Sequence, residues 1–112
     1  PYFPAIPTSL NQRFVEAFRK KYPGAGAPNQ PAAGTYDAIY LLREVIARAG
    51  TDRESVRRAL AGVGSSTPSF EGVSGTIGFD ASGDVSTQNV YIGLVRRGVV
   101  EVQGSQESMG AR

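Results

Sequence analysis

With 112 residues, 40% hydrophobic and 20% charged, the chain has enough material for one small globular domain and no more. It holds no cysteine and no histidine, which excludes disulfides, thiol nucleophiles, the usual zinc sites and the commonest general base. A formal charge of +2, with basic residues interspersed among acids, lacks the dense stripe that a nucleic-acid surface needs.

Pro1, Pro4 and Pro7 forbid helix at the start and favour an extended segment. Thr8 or Ser9 then caps a first helix over 9–22, in which Leu10, Phe14, Phe18 and Tyr22 recur at four-residue intervals. Asn11, Arg13, Glu16, Lys20 and Lys21 fall on its opposite side, and Pro23-Gly24 stops it. A Pro/Gly/Ala/Asn loop leads to a second helix over 32–49. Its apolar face is broad: Tyr36, Ile39, Tyr40, Leu42, Val45, Ile46 and Ala49. Gly50 suits the left-handed stop. Thr51-Asp52-Arg53-Glu54 reads as a capping box with Thr51 as the cap, opening a short third helix over 52–61.

Beyond the polar loop at 64–69 the hydrophobic period changes from 3.6 to 2. Strands are expected at 75–79, 90–97 and 99–102, the last two joined by a tight turn at Arg97-Gly98. Residues 103–112 read as a flexible tail. The fold class is therefore α/β, three helices followed by a β-hairpin. No apolar run approaches the roughly 20 residues of a membrane span.

Few motifs carry chemistry. Asp80-Ala-Ser82-Gly83-Asp84 has oxygen ligands at alternate positions but lacks the sixth-position glycine and distal acid of a calcium loop, so a turn is the better reading. Asp37, Glu44 and Glu54 have no partner at a spacing that suggests paired-carboxylate catalysis. Nothing reads as an enzyme, a metal site or a cofactor site. Tyr36, at the opening of the second helix, suits either a cleft or the core, and the residue pattern favours the core.

Three segments in order, Pro1-Tyr-Phe-Pro-Ala-Ile-Pro-Thr8, Gly34-Thr-Tyr-Asp-Ala-Ile-Tyr-Leu-Leu42 and Phe70-Glu-Gly-Val-Ser-Gly-Thr-Ile-Gly-Phe-Asp80, give the chain a family likeness. From about Pro1 to Val102 it resembles the C-terminal portion of a type I periplasmic binding protein, the solute receptor of a branched-chain amino acid ABC importer. The opening Pro-Tyr-Phe-Pro, without Met or signal peptide, accords with a fragment of such a two-lobed fold. The resemblance implies that the helices belong mainly to one lobe and the last hairpin to the other. It also places Pro4–Thr8 and Val85–Val90 near hinge crossings.

It further implies an extracytoplasmic receptor for an amino acid or a related small organic acid or amide. Such a receptor closes around its solute and delivers it to a membrane permease. The location would be periplasmic or extracellular, lipid anchoring being one form of it. In relatives, an aromatic residue five places before the Tyr-Asp-Ala tyrosine often contacts the ligand side chain; here that position is Pro31. Pro31, Ala32, Gly34 and Tyr36 are the expected cleft-lining residues. Upstream polar groups that hold the ligand's charges have no counterpart in these 112 residues. The alternatives are a sensor of the same fold and an autonomous α/β interaction domain without ligand. Helices left without their sheet also suggest self-association.

Overall fold

A computed structural model describes residues 2–86 and 90–105. Residues 87–89 of the expected crossing and 106–112 of the expected tail lie outside the described residues. The element order is α1 (Ser9–Lys21), α2 (Gln30–Ala49), α3 (Arg53–Ala61), β1 (Phe70–Glu71), β2 (Thr76–Ile77), β3 (Tyr91–Arg96) and β4 (Val99–Ser105). The strands form two separate antiparallel pairs, β1 with β2 and β3 with β4. The fold is thus three helices with two small sheets. No helix among the described residues is long and apolar enough to cross a membrane.

The chain divides into two compact units. The first holds the described residues up to Gly34 together with the β3–β4 hairpin. Here Thr8 caps α1, its hydroxyl accepting from the Asn11 N–H at 3.2 Å. The core includes Tyr2, Ile6, Phe14 and Val15. Asn11, expected on the polar side of the helix, is fully buried. Its amide donates to the carbonyls of Pro4 (3.0 Å) and Ile6 (2.9 Å), and its Oδ1 accepts from the Tyr2 hydroxyl (2.7 Å). A buried amide stays in place only when so satisfied.

In the hairpin, Arg97 (φ 50°) and Gly98 (φ 77°) form the two-residue turn that matches strand twist. Register runs from Arg96↔Val99 to Gly93↔Val102 and resumes at Ile92↔Gly104, so that Gln103 of β4 is the extra residue of a bulge. A Cβ on Gly93 would lie 3.1 Å from the Phe3 ring and 2.8 Å from Val100, so the glycine lets the proline-rich segment lie against the hairpin. β4 continues to Ser105, past the expected end at 102.

The second unit runs from Thr35 through the loop after β2. Leu41, Val45 and Val63 form its buried cluster, with Val56, Ala59, Leu60, Phe70, Ile77 and Phe79 packed against them. Asp52, not Thr51, caps α3, because its carboxylate reaches the Ser55 N–H at 3.0 Å. That bond from the Ser55 backbone is the main reason the Asp52 carboxyl titrates below its ordinary value. Glu54 is lowered chiefly by its hydrogen bond from Arg57, which is raised in turn.

Two expectations from the resemblance need correction. α1 groups with the hairpin instead of with the other helices, and Pro4–Thr8 lies inside the first unit. The physical reason is the Asn11 amide, which ties that segment to α1. The boundary between the units on that side falls after Gly34.

Candidate functional site

The four expected site residues stand in the first turns of α2. Asn29 caps the helix: its carbonyl accepts from the Ala33 N–H at 3.1 Å and its Oδ1 from the Ala32 N–H at 3.1 Å. Pro31 therefore lies within the first turn, where its missing N–H would have had no helical partner. Pro31 and Gly34 are exposed and Ala32 is half-buried. A Cβ added at Gly34 would meet no atom within 4 Å other than its chain neighbours and its own helix's backbone. These three belong to the first unit and Tyr36 to the second.

Tyr36 is not a core residue. It is 36% exposed and stacks on Tyr40, with ring centroids 4.7 Å apart. Ile39 (61%), Tyr40 and Ile46 are exposed as well, and the Arg43 guanidinium lies 5.9 Å from the Tyr40 ring. The stripe that packs inward in this unit is narrower than the sequence suggested. It uses Leu41 and Val45 and leaves most of the broad apolar face in solvent.

The residue that sequence reasoning missed is Asp37. It is 1% exposed, and its carboxylate accepts from the Val73 N–H (2.7 Å), the Ser74 N–H (2.9 Å) and the Ser74 hydroxyl. The loop from Gly72 to Gly75 is closed on itself by the Gly72 and Gly75 backbones, and it presents two successive N–H groups to one carboxylate. Gly72 is required there, since a Cβ would sit 2.5 Å from Asp37 Oδ2. The partner lies 36 and 37 residues away. The one available signal was an acid embedded between apolar residues in Tyr36-Asp37-Ala38-Ile39.

Elsewhere polar groups serve local geometry. Asp80 accepts from the N–H groups of Ser82 (2.9 Å) and Asp84 (3.0 Å) and closes its turn. Among the described residues no group of three or more His, Cys, Asp or Glu side chains is arranged to hold a metal. In the first unit an open cleft of about 680 Å³ runs between α1 and the start of β4. Phe3, Val15, Val99 and Val100 supply its apolar lining, with Glu16 and Arg19 among its polar residues.

Residues 1–99 match the periplasmic binding protein family. Among solved structures, the chain is similar to the leucine-binding protein LivK from Thermotoga maritima. The TM-score is 0.72 and the identity 32%, over 93% of this chain and 28% of that one. The chain thus spans less than a third of that protein's length. Comparison with curated proteins gives no match.

Proposed function

This chain belongs to the periplasmic binding protein family, and from that premise we propose that it forms part of a receptor for an amino acid or a related small organic acid or amide. The observation that carries the reading is the likeness at 32% identity to a leucine-binding protein. In this reading the receptor works outside the cytoplasm, closes around its solute and hands it to the permease of an ABC importer. Pro31, Ala32, Gly34 and Tyr36 line part of the cleft. Three observations support that placement: the exposure of Pro31 and Gly34, the open space beside Gly34, and the exposed Tyr36–Tyr40 stack. The exposed apolar face of α2 is then a surface that other parts of such a receptor cover.

The test is a chimera in which this chain replaces the matching 28% of the leucine-binding protein. It is titrated calorimetrically with leucine, valine, an aromatic amino acid and a short amide, beside the 112-residue chain alone. The chimera should bind at least one ligand at micromolar concentration. The chain alone should not, since losing three hydrogen bonds to a charged ligand, at about 1.5–3 kcal/mol each, takes a micromolar site beyond the millimolar range. A folded chimera that binds none of the four rejects the reading. Micromolar binding by the chain alone means that the site lies within these residues.

A further inference from the structure

The open cleft of about 680 Å³ is built by the first unit alone, and none of Pro31, Ala32, Gly34 and Tyr36 lines it. Its volume falls in the range of roughly 300–1,000 Å³ that small-molecule sites occupy. Gln12, Val15, Glu16 and Arg19 stand three and four residues apart, so one face of α1 forms a wall of it. Val15 in that wall is buried, and Phe3, Val99 and Val100 add further apolar lining.

Glu16 and Arg19 are the informative pair. α3 contains a glutamate followed three residues later by an arginine, Glu54 and Arg57, and those two join at 2.7 Å. Glu16 and Arg19 have the same order and spacing. Yet among the described residues neither side chain is in an ion pair or hydrogen bond, with the other or with any third group. The cleft thus carries one carboxylate and one guanidinium on neighbouring positions, both open, next to apolar surface.

We propose that this cleft binds a free α-amino acid with an apolar side chain. At neutral pH such a molecule carries an ammonium and a carboxylate on one carbon. The Glu16 carboxylate accepts from the ammonium, and the Arg19 guanidinium donates its fork to the carboxylate. The ligand's side chain lies on the apolar lining. A ligand with a single charge would satisfy one of the two groups and set a like charge beside the other, and an uncharged one would use neither. Glu16 and Arg19 are exposed, so each contributes little and binding is weak, about millimolar. This inference is independent of the solute-binding reading, whose site lies in the first turns of α2.

The test titrates the 112-residue chain slightly below neutral pH with leucine, leucinamide, 4-methylpentanoate and glycine, following backbone amides by NMR. Leucine should shift amides of residues 12–19 and 98–100 and saturate in the millimolar range. Leucinamide lacks the carboxylate and 4-methylpentanoate the ammonium, so each should bind about twofold to fivefold more weakly. Glycine should give no saturable shift. Glu16→Gln should weaken leucine by a similar factor and strengthen 4-methylpentanoate, because a like charge is gone. Arg19→Gln should do the same in favour of leucinamide. The proposal is overturned if leucine gives no saturable shift, or shifts residues 31–36 in place of the cleft. It is overturned equally if glycine or either singly charged analogue binds as well as leucine, or if the two folded variants leave the ranking of ligands unchanged. Should a variant fail to fold, the ranking on the unmodified chain decides.

Discussion

Replacing Asp37 by Ala should be the most damaging single change in the second unit. The carboxylate is 1% exposed and accepts three hydrogen bonds, two from backbone N–H groups of a loop more than thirty residues away. Val73 is itself 1% exposed, so its N–H would be left buried without a partner, at about 1–3 kcal/mol. The Ser74 N–H and hydroxyl are partly buried and would recover some hydration, which adds roughly 1 kcal/mol. The vacated volume adds a little more, while release of a buried charge offsets part of the total. The expected loss is about 3 kcal/mol, a large share of the roughly 5–15 kcal/mol that stabilises a small domain. Urea unfolding followed by circular dichroism should show the midpoint falling by about 1–3 M, given slopes of about 1–3 kcal/mol/M. Ser74→Ala, which removes only the hydroxyl, should show a fraction of this. If Asp37→Ala costs less than about 1 kcal/mol, or no more than Ser74→Ala, the carboxylate does not hold the loop and the reasoning fails.

Gly72→Ala should imitate that loss from the other side of the contact, because its Cβ would sit 2.5 Å from Asp37 Oδ2; retained stability in the same unfolding assay would show that the loop yields easily. Asn11→Leu should destabilise the first unit by about 2–4 kcal/mol, since it strips partners from the Tyr2 hydroxyl and the Pro4 and Ile6 carbonyls. Asp52 titrates below its ordinary value in the folded chain, so its contribution is present above the unfolded carboxyl's pKa and is lost as pH falls through the lowered one. Asp52→Ala should flatten the stability profile of α3 on the acid side of about pH 4, as read by helical ellipticity against pH.

What was legible in the sequence was whatever local periodicity and turn chemistry decide. The four-residue spacing of Phe14 and Phe18, the stop at Gly50 and the Arg97-Gly98 turn each depend on neighbours within a few residues. The change of period before Gly75 marked the sheets, but not that Phe70–Glu71 pairs with Thr76–Ile77, because two-residue strands have no period to read. Asn11 and Asp37 escaped for one shared reason. Polar residues are assigned to the solvent side of a helix by default, and only a partner distant in the chain makes a buried one tolerable. Conversely, Ile39 and Ile46 read as core, yet face solvent. The family likeness came from the order of three short segments, and two of them contain or adjoin the Asp37 contact. At Asp37 and Gly72, two of the segments that carry the family likeness serve to hold a loop.

The neighbouring glycine separates the two roles. Gly34 lies inside α2, and beyond its chain neighbours and the helix's own backbone an added Cβ has no atom within 4 Å. Within a helix, Gly is about 0.8–1 kcal/mol less favourable than Ala, mainly through the freedom it keeps in the unfolded chain. Gly34→Ala should therefore stabilise the chain by about 0.5–1 kcal/mol, since nothing in its surroundings opposes a methyl group. If the first turns of α2 line the solute cleft, the same methyl narrows the space where a ligand approaches the backbone. In the chimera with the leucine-binding protein, Gly34→Ala should then raise the melting temperature while weakening the binding of amino acids. A rise in melting temperature with unchanged affinity would remove Gly34 from the site and leave the glycine without a ligand role. A fall in melting temperature would contradict the open space seen around it, and with that the geometry of the helix start on which Pro31 and Ala32 also depend.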